Sequence, residues 1–129
     1  MNSESQIPLE GMQLAGFTPL SNISELQIID ILKGNGSTVV EGATIEAHYT
    51  GALVKNGVIF QSSHDLGNPI VFGLNQVIDG WTKGVPGMKV GGKRRLIIPA
   101  AQAYGANSPS PNIPANSDLV FDIELISIK

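Results

Sequence analysis

Four consecutive residues, Ser62, Ser63, His64 and Asp65, bring together the side-chain types of a hydrolytic triad. A triad needs a nucleophile, a base and a carboxylate that meet in space, with the nucleophile held on a strained turn. Adjacent residues of one loop cannot reproduce that geometry. We therefore predict that the segment from Ser62 to Pro69 is a loop, and we expect no nucleophilic catalysis from it.

Other common kinds of chemistry lack the residues they need. The chain has 129 residues and no cysteine, which excludes disulfide scaffolds, zinc ribbons and thiol nucleophiles. Its two histidines, His48 and His64, are too few for a multi-histidine metal site. The sequence contains no phosphate-binding glycine motif. We therefore expect neither a metal nor a cofactor.

The charge distribution argues against nucleic acid and membranes as partners. Residues 1–32 carry four acidic and no basic side chains, whereas the remainder is nearly neutral within a net charge of −3. Such a body offers no strong field for nucleic acid or anionic lipid, and we predict that Lys93-Arg94-Arg95 forms a solvated face. No apolar run approaches the ~20 residues of a membrane span. Because no signal-peptide pattern is present at the start, we expect a cytoplasmic protein.

Seven aromatic residues remain as candidates for a binding site. Tyr49 and Phe121 fall on the apolar faces of predicted strands, and Trp81 falls on the apolar stripe of a predicted helix. Tyr104 differs, because it opens a loop rich in glycine and proline. An aromatic side chain in such a loop is typical of the lining of a cleft.

The pattern of apolar residues predicts the elements that hold these side chains. Glycine (15) and proline (8) are frequent, which favours short strands and turns over a helical bundle. Thr44–Leu53 alternates like a half-buried antiparallel strand, and an i, i+3, i+4 stripe predicts a helix over Asn75–Val85. Gly80 costs about 1 kcal/mol inside that helix, so we expect it to be short. Further strands are predicted at residues 25–32, 58–61, 70–72, 93–98 and 118–128, with a helical turn at residues 100–103 and a long loop at residues 104–116.

These elements predict one α+β domain, with a five- to six-stranded antiparallel sheet wrapped around one short helix. Residues 1–22 lack clear periodicity. We predict that they form an N-terminal arm, disordered at its start and packing a few apolar residues near its end, followed by the domain at residues 23–129.

Six short motifs in residues 23–129 together resemble the FKBP-type peptidyl-prolyl cis-trans isomerases, the immunophilin family. They are His48–Gly51, Phe60–Ser63, Val77–Trp81, Gly87–Gly91, Ala103–Ala106 and Leu119–Asp122. One such motif is a weak signal, whereas six in the same order are a strong one. The resemblance implies a curved sheet over one short helix, in agreement with the predicted elements. It also implies an isomerase, or rotamase, that assists protein folding.

The resemblance implies a shallow apolar pocket between the sheet and the helix, with Trp81 as its floor. The catalytic residues that it implies are Tyr49, Phe60, Gln61, Trp81, Tyr104 and Phe121, and the substrate-binding residues are Phe72, Val77, Ile78 and Ile113. Tyr104 would offer its hydroxyl, and Ile78 its backbone N–H, to substrate carbonyls, while Ile113 would cover the pocket. Six of the seven aromatic residues, all but Phe17, would then belong to one proline site.

Gln61 departs from the family pattern, in which an Asp usually follows the pocket Phe. Gln keeps hydrogen-bonding capacity but lacks the charge. We therefore expect reduced isomerase activity and weakened affinity for rapamycin-class macrolides. The expected partners are proline-containing peptides and unfolded proteins.

The implied reaction is rotation about X-Pro bonds, assisted by desolvation in the apolar pocket. A proline-peptide-binding or chaperone module with weak catalysis is the alternative, because Gln61 replaces the usual Asp. A scaffold with a decayed pocket is a third interpretation, which the apolar wall residues disfavour. Some family members dimerise through a long N-terminal helix. Residues 1–22 are too short and too rich in glycine and proline for one, so we expect a monomer.

Overall fold

The computed structural model describes residues 7–21 and 23–129. Its strands are β1 (Gln27–Leu32), β2 (Thr44–Leu53), β3 (Ile59–Ser62), β4 (Ile70–Gly73), β5 (Lys93–Ile98) and β6 (Leu119–Ile128). Its helices are α1 (Ser63–Leu66) and α2 (Asp79–Gly84), and a 3-10 turn covers Ala100–Gln102. Within the described ranges, no helix is long and apolar enough to cross a membrane.

The six strands form one antiparallel sheet in the order β1-β5-β6-β2-β3, with β4 paired to β2 beside β3. The predicted α+β fold is thereby confirmed, and the predicted strand ends differ from the observed ones by at most two residues. The ladders of β2 are irregular between Glu46 and Ala47 and again between Gly51 and Ala52. Bulges of this kind bend a strand and increase its twist, which curves the sheet around α2.

Helix α2 is shorter than the predicted helix over Asn75–Val85. It has six residues, and Ile78 before it is extended, with φ −60° and ψ 151°. The residues from Asn75 to Ile78 therefore belong to a turn and an extended segment, although their apolar side chains share the face of the helix. Trp81 is the large buried side chain of the helix itself, and Val77 and Ile78 pack against the same core from outside it.

Two glycines allow α2 to lie directly against β5. A Cβ atom on Gly80 would lie 2.5 Å from Cδ1 of Ile98, and one on Gly84 would lie 2.7 Å from Cδ2 of Leu96. Contacts this short do not occur between real side chains, so any larger residue would push the helix outward. Gly80, expected from the sequence only as a cost to the helix, is a requirement of its packing.

The segment from Ser62 to Pro69 is not a plain loop as predicted, because it contains the single-turn helix α1. The Ser62 side chain accepts a hydrogen bond from the His64 N–H at the start of this turn. Gly67 ends it in the left-handed conformation, with φ 87°. A serine cap and a terminal glycine are recognisable helix signals, which the interpretation as a loop overlooked.

The N-terminal arm packs along the outer face of the sheet. The backbones of Gly11 and Met12 exchange hydrogen bonds of 2.8 Å with Ile59, and the Leu14 N–H donates to Gly57 at 2.8 Å. Leu14 is 6% exposed and completes a second apolar cluster, separate from the main core. The other buried members of this cluster are Ala52, Val54, Ile59, Ile97 and Val120. Residues 1–6, where disorder was expected, lie outside the described residues.

Two arginines predicted to be solvated are buried. Arg95 is 9% exposed, and its Nε donates to the Asp122 carboxylate at 2.7 Å. Its two terminal nitrogens also donate to the carbonyls of Gly16 and Ala15, at 2.8 and 2.9 Å. Arg94 is 8% exposed and donates to Asp30 at 2.6 Å. Arg95 therefore ties the arm to the sheet, and Arg94 links β5 to β1, instead of both facing solvent.

The packing of the arm predicts a loss of stability on truncation of Leu14. Leu14→Ala should lower the free energy of unfolding by about 2–3 kcal/mol, because it removes buried apolar atoms and leaves a cavity. Urea denaturation measures this loss. The matched control is Leu20→Ala, at an arm position that is 38% exposed, where a loss below about 1 kcal/mol is expected. Equal losses at both positions would contradict a stabilising role for the Leu14 contact.

Candidate active site

A cavity of about 480 Å³ opens between the curved sheet and α2. It brings together nine of the ten predicted site residues, and Gln76 is an additional lining residue. Its walls are formed by Tyr49, Phe60, Gln61, Phe72, Gln76, Val77, Ile78, Trp81, Tyr104 and Phe121. Apolar and aromatic side chains with a few polar groups at the edge are typical of a binding site for a small organic group.

Trp81 lies at the centre of the aromatic side chains, where it is 3% exposed. Its ring centroid is 4.8 Å from that of Phe72, 5.4 Å from Phe121 and 5.8 Å from Tyr49, each in an edge-to-face arrangement. Such pairs are worth about 0.5–1.5 kcal/mol each beyond the area they bury. The rings therefore hold one another in place before any ligand arrives.

The Trp81 indole nitrogen Nε1 is buried and has no hydrogen-bond partner in the part of the chain that the structure describes. Leaving such a donor unpaired costs about 1–3 kcal/mol. Buried polar groups without a hydrogen-bond partner are rare in protein cores.

Gly51 of β2 makes room for two of the wall residues. The rings of Phe60 and Phe121 are 5.8 Å apart and nearly perpendicular, at 87°. A Cβ atom on Gly51 would lie 2.6 Å from the Phe60 ring and 2.7 Å from the Phe121 ring. The absence of a side chain here lets both phenyl rings lie over the strand and close the pocket on that side.

Two tyrosines line the pocket. Tyr104 is 36% exposed and follows the 3-10 turn by two residues, and Tyr49 is half-buried in β2. Burial raises the pKa of both hydroxyls, and the nearby Tyr104 further raises the pKa of Tyr49. Both groups are therefore protonated at neutral pH and can donate a hydrogen bond.

A backbone donor is also free at this site. Ile78 precedes α2, and its N–H donates to no other group of residues 7–21 and 23–129. The first N–H groups of a helix have no partner within the helix, so they are available to a ligand. This is the N–H that was predicted to meet a substrate carbonyl.

Ile113 is the one predicted site residue that does not line the aromatic pocket. It is 5% exposed and lines an adjoining groove of about 330 Å³, which shares Phe60, Gln61 and Tyr104 with the pocket. The Ser108 hydroxyl donates to the Ile113 carbonyl and fixes the long loop around it. Ile113 therefore belongs to the groove, which meets the pocket at the three shared residues.

Two residues that line the pocket or the groove were not predicted from the sequence. Gln76 lies in the turn that follows β4, in a segment that was predicted to be helical. Glu10 lines the adjoining groove from the N-terminal arm. Periodicity carries no signal for a contact between an irregular arm and a loop about one hundred residues away.

The Ser-His-Asp segment supports the site instead of forming a triad. Ser63 is fully buried, accepts a hydrogen bond from the Tyr49 N–H at 2.7 Å, and lies 2.8 Å from Nδ1 of His48. The Asp65 carboxylate accepts the N–H groups of Leu9 at 2.8 Å and Glu10 at 3.0 Å. These residues fix β2 and the arm beside the pocket.

Comparison with known proteins agrees with this geometry. The family model described as FKBP-type peptidyl-prolyl cis-trans isomerase matches residues 35–126, well over half of the chain. The chain belongs to the FKBP family. It is 45% identical over 105 residues to the FK506-binding protein of Neisseria meningitidis, covering 80% of this chain and 95% of that protein. It is 48% identical over 90 residues to peptidyl-prolyl cis-trans isomerase FPR2 of Saccharomyces cerevisiae, covering 68% and 67%.

Solved FKBP structures share the fold. AtFKBP13 superposes with a TM-score of 0.73 at 40% identity, covering 81% of this chain and 93% of that one. FkpA from Escherichia coli gives 0.74 at 38% identity, covering 90% and 53%. The chain spans about a quarter of the length of FK506-binding protein 3 from Eremothecium gossypii, with 48% identity over 104 residues.

The raised tyrosine pKa values predict how ligand binding to the FKBP pocket depends on pH. Because the protonated hydroxyls are favoured in the folded protein, peptide affinity should be constant through neutral pH and fall only above the ordinary tyrosine pKa of 10.0. Folding stability should decrease over the same alkaline range, because the unfolded chain loses these protons first. Trp81, the single tryptophan of the chain, reports binding by fluorescence.

The control for this pH dependence is Tyr104→Phe, which should bind peptide more weakly and show a smaller alkaline loss of affinity. A loss of affinity in the wild type that begins well below pH 9 would contradict the assignment of the donors.

Proposed function

We propose that this protein catalyses cis-trans isomerisation of X-Pro peptide bonds, with the proline ring held in the aromatic pocket. The observation that carries this proposal is the cluster of edge-to-face rings around Trp81 at the base of an apolar cavity. An apolar five-membered ring presents faces and edges that pack well against such walls. The named isomerases among the relatives support the same activity.

The mechanism follows from the physics of the amide bond. Rotation about this bond is opposed by resonance, with a barrier of ~18–20 kcal/mol. The planar amide is more dipolar than the twisted one, so transfer from water into an apolar pocket destabilises the planar form relative to the transition state. Interactions that favour the transition state over the ground state accelerate the reaction. This route needs no nucleophile and no proton transfer.

Two donors hold the peptide during rotation. The Tyr104 hydroxyl at the rim and the free Ile78 N–H lie on the lining of the same cavity, so each can donate to a substrate carbonyl. Fixing the carbonyls on either side of the rotating bond restrains the chain while the prolyl ring stays between the walls. Gln61, on the exposed side of β3, offers a neutral polar group at the edge.

The experiment that tests the function is a protease-coupled or exchange assay on a proline tetrapeptide with two matched variants. Phe72→Leu removes a half-buried ring from the pocket, whereas Phe17→Leu removes a half-buried ring that stacks over Arg95 outside it. We expect Phe72→Leu to lower kcat/KM by about three- to tenfold, the equivalent of one or two aromatic contacts. Phe17→Leu should leave kcat/KM close to the wild-type value.

Tyr104→Phe should lower kcat/KM by about two- to tenfold, because one hydrogen bond to the substrate is lost. Peptide binding without any acceleration of exchange would contradict the enzyme and support the alternative, a proline-peptide-binding module.

Because residue 61 is Gln, we expect the isomerase activity of the natural protein to be lower than it would be with Asp at this position. A carboxylate at this position would make a charge-assisted hydrogen bond, which is roughly twice as strong as a neutral one. Gln61→Asp should therefore raise kcat/KM by about three- to tenfold. The control Asn35→Asp adds the same charge at an exposed turn and should change nothing. An unchanged or lower kcat/KM in Gln61→Asp would refute this role of residue 61.

The presence of Gln61 instead of the usual Asp also affects which ligands we expect the protein to bind. We propose that rapamycin-class macrolides bind the pocket with weakened affinity; the relatives named FK506-binding proteins support macrolide binding as such. Unfolded proteins and proline-containing peptides are the proposed substrates, and assistance of folding is the proposed role. We further propose a monomer, because the described residues of the arm pack on their own sheet. The cytoplasmic location stays a prediction from the sequence.

A further inference from the structure

The groove beside the aromatic pocket contains a carboxylate that the isomerase mechanism does not use. Its lining residues are Glu10, Phe60, Gln61, Tyr104, Pro109, Ser110, Asn112 and Ile113. Among these described residues, Glu10 alone is charged at neutral pH. The groove is therefore a polar, negatively charged extension of an apolar site.

Glu10 is held in place from two directions. Asp65 accepts the backbone N–H of Glu10 at 3.0 Å and that of Leu9 at 2.8 Å, which fixes the arm. From the opposite side, the Asn112 amide nitrogen donates to Oε2 of Glu10 at 3.1 Å. Glu10 thus bridges the arm and the long loop at the lining of the groove.

The carboxylate retains capacity for a ligand. An ionised carboxylate has about four acceptor sites, and Asn112 occupies one of them. Glu10 is exposed, so a cationic group can reach it without losing all of its hydration. The groove, of about 330 Å³, also has apolar surface from Phe60 and Ile113, along which the methylene stem of a lysine or arginine can lie.

The groove and the pocket share the walls formed by Phe60, Gln61 and Tyr104. A peptide whose proline fills the pocket can therefore place a flanking residue in the groove. We propose that this groove is a subsite for the residue flanking the proline, and that Glu10 selects lysine or arginine there. The inference rests on the proposed function and adds a preferred substrate class to it, namely X-Pro peptides with an adjacent basic residue.

The test uses two series of tetrapeptides, one varying the residue before proline and one varying the residue after it, each with lysine, norleucine and glutamate. Only the series that varies the residue in the groove should show a preference. In that series, the wild type should favour lysine over glutamate by about two- to fivefold in kcat/KM, the range of an exposed ion pair. Glu10→Gln should abolish this preference, and Glu10→Lys should reverse it. High salt should weaken the wild-type preference. Glu41→Gln, which removes an exposed carboxylate outside both cavities, should preserve it.

A wild-type protein without preference in either series would overturn the subsite, as would a preference that persists in Glu10→Gln. Failure of the proposed function looks different, because no peptide would then be isomerised faster than in buffer. In that case the same peptides are titrated by Trp81 fluorescence. A lysine preference in Kd that is lost in Glu10→Gln supports the subsite, and its absence refutes it.

Discussion

The contact between helix α2 and strand β5 is set by two glycines, since any larger side chain at Gly80 or Gly84 would collide with Ile98 or Leu96. The helix has six residues and no side-chain cap at its start, so packing must supply its stability. That packing places Trp81 against Phe72 and Phe121. The depth and shape of the aromatic pocket therefore depend on how closely this short helix approaches the sheet.

Apolar side chains pack on both faces of the sheet. Its inner face carries the main core and the pocket, and its outer face is covered by the N-terminal arm around Leu14. Arg95 joins the arm to the sheet through Asp122 and two arm carbonyls. Breaking such a pair leaves a buried charge without a partner, which is costly. The arm that carries Glu10 is thereby held against the sheet.

Much of the fold could be predicted from the sequence, because β2 and β6 alternate clearly and glycine and proline separate the strands. The family motifs also predicted nine of the residues that line one cavity. Other features depend on tertiary contacts that no local pattern encodes. The burial of Arg94 and Arg95 needs Asp30 and Asp122, which are distant in sequence. The apolar stripe of Asn75–Val85 covers both a helix and the irregular segment before it. Its periodicity therefore predicted a helix longer than the observed one. The signals for α1 were present in Ser62 and Gly67 but were overlooked.

The central claim is that an apolar pocket accelerates X-Pro rotation by desolvation, with donors that orient the peptide and no proton transfer. The most direct test is the cis-trans exchange rate of a proline tetrapeptide, measured by NMR exchange spectroscopy with catalytic amounts of protein in H2O and in D2O. Desolvation predicts acceleration with nearly equal rates in the two solvents, since no proton moves in the transition state. Binding without acceleration, or a rate that falls markedly in D2O, would contradict the claim.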